Sequence, residues 1–386
     1  MGHGRRPVLL VGVPHPNEPI GTLTIDFLTR ALCEREDLRA ELDVTLHAIP
    51  VADPDGFALN EGWFGGTFSP LRYALEFYRP PHREQVEWSF PVDYKTLQFG
   101  TPSPETATVM RVMERVRPEL FYSLHNAGFC GVYFYMTHAR PKLISALHAL
   151  VRKHGLPLHH GEPDVPYLRT LAPAVYELFG IQDTYDYLER SLGEDPAPLL
   201  EAGTSSDDWL KRVCDAFSLV CELPYYTARA LDDVSPAGCS RRDAIVRGVE
   251  RAADVHQRAT AFFARIGDRV PEHRLTRSVQ EYLKKSPKRL AARRADACDR
   301  GEYSRDATRA EAVDAGVCAV FYHALYLGEI HRLAGMVGDH GVADEVHAYL
   351  TALMSDIAGE SELTVLPLRP LVSVQAGAEL VALGMD

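Results

Sequence analysis

No Cys-x-x-Cys pair occurs anywhere in the 386 residues, and the seven cysteines (Cys33, Cys130, Cys214, Cys221, Cys239, Cys298, Cys318) are odd in number and widely spaced. That pattern argues against a disulfide framework and against a cysteine zinc site, leaving buried thiols as the expectation. No apolar run approaches the roughly 18 residues of a membrane span. Val8-Leu9-Leu10-Val11 near the N-terminus is too short for a signal-peptide core and has no small-residue cleavage site behind it. The expectation is a cytoplasmic protein without a membrane partner. Positive charge is scarce as well: 41 Lys and Arg stand against 53 Asp and Glu, a net of −12. Phosphate affinity needs clustered cations, so a general nucleic-acid partner is not expected. Internal repeats and low-complexity tracts are missing too. What is present is ordinary for a globular chain, 46% hydrophobic and 24% charged, long enough for two or three domains and a core that needs no staples.

The first 240 residues alternate strand-like and helix-like segments. Pro7 to Val13 is a short apolar run closed by a Gly/Pro turn, the signature of a buried strand. Residues 18 to 40 carry apolar positions at helical spacing (Ile20, Leu23, Ile25, Leu28, Leu32). Leu42 to Val51, Leu120 to Leu124, Val132 to Met136 and Phe217 to Cys221 read as further strands. Residues 103 to 116 read as a helix capped by Ser103, with Glu105 in its first turn. Such alternation predicts an α/β fold, a mixed twisted sheet flanked by helices. After residue 240 the pattern turns helical, with candidates over 242–266, 275–297, 308–336 and 341–358; Pro287 is expected to kink or split the second. Residues 361–386 return to an apolar run and a short helix. The expected units are therefore 1–240, a helical extension over 241–360, and a C-terminal strand and helix rejoining the first unit.

Chemistry is carried by residues where strands end. His15 and Glu18, three apart after the first strand, can face one point and offer an imidazole nitrogen and a carboxylate oxygen to Zn²⁺. His159 and Glu162 repeat the spacing, and either pair alone is more often ordinary. A catalytic zinc usually takes three protein ligands and keeps one open position. A third ligand is available in His125, at the end of Tyr122-Ser123-Leu124. The strand Phe217 to Cys221 runs into Glu222, a carboxylate where α/β enzymes keep their chemistry.

In order, His15–Glu18, Asp53-Pro54-Asp55-Gly56, Leu124-His125, Thr204-Ser205-Ser206-Asp207-Asp208-Trp209 and Glu222-Leu223 resemble the motifs of the M14 zinc carboxypeptidases over roughly residues 7 to 265. The resemblance implies a zinc carboxypeptidase-like sheet, one Zn²⁺ held by His15, Glu18 and His125, and Glu222 as general base. It also implies a cation for the oxyanion, and Arg79 in Phe77-Tyr78-Arg79 fits, with Arg83 and Arg72 behind it. The family's carboxylate-binding Asn and Arg are replaced here by Lys95 and Thr96, and Lys95 meets a carboxylate only as a point charge. Asn126, beside His125, is the other expected substrate contact. Asp207 aligns with the base of the family's side-chain pocket, where a carboxylate favours a basic group; capping of the helix at Trp209 is its other reading. Asp53 is turn chemistry first, and the resemblance adds support of the metal site.

The remaining features read more plainly. Lys284, Lys285, Lys288, Arg289, Arg293 and Arg294 form a basic run, read as a solvated helix face. His323, His331, His340 and His347 have no metal spacing. Residues 60–66, a Gly-rich loop with aromatics, are a candidate pocket wall but not a phosphate cradle. The expected activity is zinc-dependent hydrolysis of a peptide or small amide, with a metallocarboxypeptidase first. An N-acyl amino acid deacylase of the succinylglutamate desuccinylase and aspartoacylase type is the alternative within enzymes. A non-catalytic zinc scaffold is the alternative outside them. The helical extension is expected to serve as a lid or as a homo-oligomer interface.

Overall fold

The computed structural model describes residues 4–384, so residues 1–3 and 385–386 of the expected first and last units lie outside the described residues. The strands of the main sheet, in chain order, are β1 (Arg6–Gly12), β2 (Val44–Ile49), β3 (Leu120–Phe129), β4 (Tyr133–Met136), β5 (Thr170–Ala172), β6 (Val175–Glu177), β7 (Phe217–Thr227) and β8 (Thr364–Val365). They lie in the order β2-β1-β3-β7-β4-β6-β5, with β8 added antiparallel to the end of β7. The β2-β1-β3-β7 half is parallel, and β4 turns against β7. The sheet is mixed and flanked by helices, as the alternation predicts.

β1 shows why a continuous apolar run becomes a central strand. Leu9 and Val11 join Phe121 on one face, beneath Val109 and Met113 of a helix. Val8 and Leu10 join Leu120 and Tyr122 on the other, beneath Leu28 and Leu32. With both faces covered, no polar residue fits, and each such side chain contributes about 1.5–3 kcal/mol by burial. The covering helices are α1 (Ile20–Glu34), α2 (Pro104–Val116), α3 (Pro141–Lys153) and, from the far end of the chain, α8 (Leu368–Gly384). Ser103 caps α2 by accepting from the Thr106 N–H. The helix expected over 18–40 is two, because Arg35 adopts an extended conformation between Glu34 and Glu36.

The helical region contains α4 (Arg241–Ala264), α5 (Arg274–Asp299), α6 (Ala319–Met336) and α7 (His340–Ser361). α5 keeps Pro287 inside one uninterrupted helix, so the proline does not split it. Pro287 lies on the exposed side, with Lys288 and Arg289 after it, while Lys285 and Ser286 before it are buried. The helix leading into α6 begins at Arg309, capped by Thr308 and Glu311, and widens into a π-turn over Asp314–Cys318. The stretch Arg309–Met336 is long and apolar enough to cross a membrane, which corrects the reading that no run approaches that length. Its apolarity serves packing: Val320, Phe321, Ala324, Leu325, Leu327 and Ile330 are all buried in the core, while Tyr322 and Met336 stay exposed, as expected of a core helix with a broad apolar face. Gly328 makes this possible, since a Cβ there would lie 1.7 Å from the Ala74 carbonyl oxygen. No disulfide links any of the cysteines.

Candidate metal centre

β1 stops at Gly12, opposite Leu124. β3 does not stop there but continues through His125 to Phe129, paired with β7 from Glu222 to Tyr226. His125 and Glu222 thus lie within paired strands and not at strand ends, a correction to the expected boundaries. The early end of β1 leaves the edge of β3 beside His125 uncovered, and the chain crosses it in the turn to α1. Val13 opens that turn with φ 53°, a left-handed conformation that a β-branched residue adopts only under strain. The turn packs on a second one: Asp53 accepts from the Gly56 N–H at 2.8 Å, and a Cβ at Gly56 would meet Pro16 at 2.8 Å. Asp53 therefore buttresses the segment that carries His15. The Ile20 N–H at the start of α1 donates to Asn126 Oδ1 at 3.1 Å, tying helix to strand.

These constraints bring His15, Glu18 and His125 together, with one ligand atom from each lying within 4.8 Å of the others. All three are buried. His125 Nδ1 is 3.1 Å from Glu18 Oε2, while its Nε2 is engaged by Ser123 Oγ at 2.9 Å. His15 Nδ1 is buried without any hydrogen-bond partner. Burial, with Arg79 nearby, pushes the His15 imidazole well below its usual pKa, so it keeps a lone pair to donate. Burial works in the same direction on His125, but Glu18, Glu222 and Glu87 outweigh it and hold that group up at about 9. The surrounding carboxylates therefore favour a positive charge at this point. Two imidazoles and a carboxylate, one nitrogen unsatisfied, fit a divalent metal with an open position.

Glu222 faces His125 directly in strand register, with its Oε1 3.7 Å from His125 Nδ1. Burial, reinforced by Glu18 and Asp164, raises its carboxyl above the usual range. Arg79 reaches in from a loop, its Nη1 3.2 Å from Glu18 Oε1. That loop is held by the helical region. Glu329 of α6 accepts from the Arg79 N–H at 3.4 Å, Glu281 of α5 accepts from the His82 N–H at 2.7 Å, and Arg332 donates to the Glu76 carbonyl at 3.2 Å. The ligands, Glu222, Arg79 and Asn126 all line one cavity of about 360 Å³, which Tyr322, Leu325 and Tyr326 of α6 help to enclose. Asn126 Nδ2 is buried there without a partner.

The structure does not bring Lys95 or Asp207 to this cavity. Lys95 sits at the tip of a hairpin (Val92–Tyr94 with Leu97–Phe99), its amine held by Asp186 at 2.8 Å and Glu189 at 2.7 Å. Thr96 is engaged by Tyr185 and Asp195. Asp207 lies in the first turn of the helix Ser206–Val213, 2.6 Å from Lys211 Nζ; the cap of that helix is Ser205. The second His-x-x-Glu pair is not a metal site. His159 Nε2 lies 2.7 Å from the Glu162 carbonyl, and the Glu162 carboxylate is taken by Arg241 and Arg293. None of residues 60–66 lines the metal cavity; Asn60 and Trp63 are buried in the core instead.

Three contributors escaped the sequence. Glu87, raised by burial, accepts from Ser206 and lies 3.9 Å from His125 Nε2. Asp164 hangs into the cavity from a Pro-rich loop, with the Tyr135 hydroxyl donating to it at 3.2 Å. Gln375 of α8 donates to the His125 carbonyl at 3.0 Å and accepts from Thr24 Oγ1 at 2.7 Å. No local pattern marks any of them, because each acts across more than a hundred residues or from an irregular loop.

No protein-family model matches the sequence, and no curated protein matches it. Among solved structures, the chain is similar to a Shewanella amazonensis protein provisionally assigned as a metallopeptidase. Identity is 16%, over 58% of this chain and 70% of that one, with a TM-score of 0.36. It is also similar to a Pseudomonas aeruginosa metallo-carboxypeptidase solved with (2-guanidinoethylmercapto)succinic acid, at 14% identity over 78% and 59% of the two chains and a TM-score of 0.31. A Ruegeria pomeroyi ectoine utilization protein gives 14%, 57%, 51% and 0.26 in the same order. At such values the likenesses carry no conclusion about chemistry, which rests on the side chains.

Proposed function

We propose that the protein is a metal-dependent amide hydrolase of the M14 type, with one Zn²⁺ held by His15, Glu18 and His125. The observation that carries this reading is the buried cluster itself: its ligand atoms lie within 4.8 Å of one another and one imidazole nitrogen has no partner. Zinc in such a donor set acts as a Lewis acid, lowering the pKa of water towards about 7 and polarising a carbonyl. The chain's own residues do the rest. Glu222, its carboxyl raised, takes the proton of the attacking water and returns it to the departing nitrogen. Arg79 offers its guanidinium to the developing oxyanion. Tyr322, Leu325 and Tyr326 of α6 narrow the cavity, and a substrate that displaces its water strengthens both interactions.

A second reading within the same chemistry, an N-acyl amino acid deacylase, draws support from Lys95 and Thr96. Both are engaged by other side chains and neither lines the cavity, which favours a substrate without a peptide's C-terminus. The test is metal content together with Glu222→Gln, assayed on C-terminal dipeptides and N-acyl amino acids. Retained zinc with abolished hydrolysis is expected. Unaltered hydrolysis would remove Glu222 from the mechanism, and no zinc-dependent turnover of any substrate would favour a scaffold.

A further inference from the structure

The basic run on α5 resolves into pairs with one member left over. Lys284 meets Glu201 at 3.2 Å, Lys285 meets Glu281 at 2.9 Å, and Lys288 meets Glu194 at 2.7 Å. Arg293 meets Glu162 at 2.7 Å, and Arg294 meets Glu250 at 3.4 Å. Arg289 has no hydrogen bond or ion pair among the described residues. It lines a second cavity of about 270 Å³, which shares Trp88, Asp164 and Phe179 with the metal cavity. Asp164 is the complementary case. It has the Tyr135 hydroxyl but no cation within ion-pair distance. One cavity thus presents a guanidinium and a carboxylate, each exposed to solvent and neither in an ion pair among the described residues. Aromatic rings line the same cavity, with Trp88 and Phe179 5.4 Å apart and Tyr167 and Tyr187 5.0 Å apart.

We propose that this second cavity binds the zwitterionic head of an amino acid, with Arg289 on its carboxylate and Asp164 on its ammonium. Arg suits the first task because its planar fork matches a carboxylate. An ammonium beside a carboxylate and over aromatic faces gains from both. A neutral ligand would leave both protein charges to solvent, and an ion of one sign would engage only one of them. The shared wall directs the rest of the ligand towards His15, Glu18 and His125. Combined with the amide-hydrolase reading, on which this step rests, the substrate is an amino acid acylated on a side-chain amine. Water cleaves the carbonyl–nitrogen bond, its oxygen going to the acyl group as a carboxylic acid and hydrogen to the released amine.

Calorimetry on the full-length protein tests the assignment without turnover. The probes are L-norleucine, hexanoic acid, which lacks the amine, and pentylamine, which lacks the carboxylate. Norleucine is expected to bind at least about tenfold more tightly than either. Arg289→Gln should cost norleucine about tenfold and leave pentylamine unchanged, while Asp164→Asn should cost norleucine similarly and leave hexanoate unchanged. Equal binding of norleucine and a single-charge probe, or norleucine binding unmoved by either variant, overturns the proposal. A protein that binds norleucine this way yet hydrolyses no amide would refute the hydrolase reading and keep this one.

Discussion

His125 and Glu222 occupy the same register position on adjacent parallel strands, with 3.7 Å between imidazole and carboxylate. Sheet hydrogen bonding sets that spacing, so a rigid ladder, not a flexible loop, holds the proposed base beside the proposed ligand. Glu18 reaches the same point from the turn before α1, and Tyr133 flanks Glu222 on the other side.

Zinc should stabilise the folded chain through these ligands. Titration of metal-free protein is expected to raise its melting temperature, saturating at one ion per chain. By mass action the gain reaches about 2.7 kcal/mol at a hundredfold excess over the dissociation constant. His15→Ala and Glu18→Ala should abolish the rise. A rise that survives both substitutions would place the ion elsewhere.

Arg79→Ala should lower kcat by about 10²- to 10³-fold, the usual effect of losing one donor to an oxyanion. KM should change less, because the interaction strengthens only as charge develops. Steady-state kinetics on any substrate found by the panel decides this, and a change confined to KM would assign Arg79 to ground-state binding.

Much of the architecture was readable before any coordinates. The apolar run over Pro7 to Val13, the Ser103 cap and the helical stretch after 240 all follow local rules of spacing and capping. The His15, Glu18 and His125 cluster is legible because its members follow strand-like runs; Glu222, the proposed base, follows another such run. Two expected substrate contacts, Lys95 and Asp207, do not line the metal cavity. Chain position alone points to them, but a hairpin turn carries Lys95 to Asp186, and an i,i+4 pair ties Asp207 to Lys211. Glu87, Asp164 and Gln375 matter through partners distant in sequence or through irregular loops, and no periodicity encodes such contacts.

Gln375→Ala should weaken zinc binding by about tenfold, the low end of effects from residues that orient a ligand. It removes a buried donor to the His125 carbonyl and a partner of Thr24. Stability should fall by about 1–3 kcal/mol as those groups lose their bonds. Competition with a chromophoric chelator measures the first effect and urea unfolding the second. Weakened stability with unchanged zinc affinity would confine Gln375 to packing.

Glu379 of α8 is buried with Oε2 unpartnered, and burial raises its carboxyl to about 8. Below its unfolded pKa, near 4.5, both states are protonated and the group has no effect on stability. Between there and pH 8 the folded state keeps a proton that the unfolded state has lost, so stability falls as pH rises, by at most about 1.4 kcal/mol per unit. Above pH 8 the loss levels off. Glu379→Gln should therefore gain on the wild type steadily from pH 5 to 8 in urea unfolding. A constant difference would show that the carboxyl is already ionised when folded.

Gly328→Ala should destabilise by about 1–3 kcal/mol, as overpacking does, because the added Cβ meets backbone that no side-chain rotation can relieve. Circular dichroism melts check this. Since α6 also holds the Arg79 loop through Glu329, activity in the surviving folded fraction should fall as well.

The bond from Gln375 to His125 has a consequence for how the protein is made. A ribosome delivers the chain from its N-terminus at about 5–20 residues per second. His15, Glu18 and His125 all emerge before α8, and the residue that steadies His125 lies 250 positions after it. Until α8 has left the exit tunnel, the nascent polypeptide carries its candidate ligands without that brace, so the fully braced centre is completed only once α8 has been made.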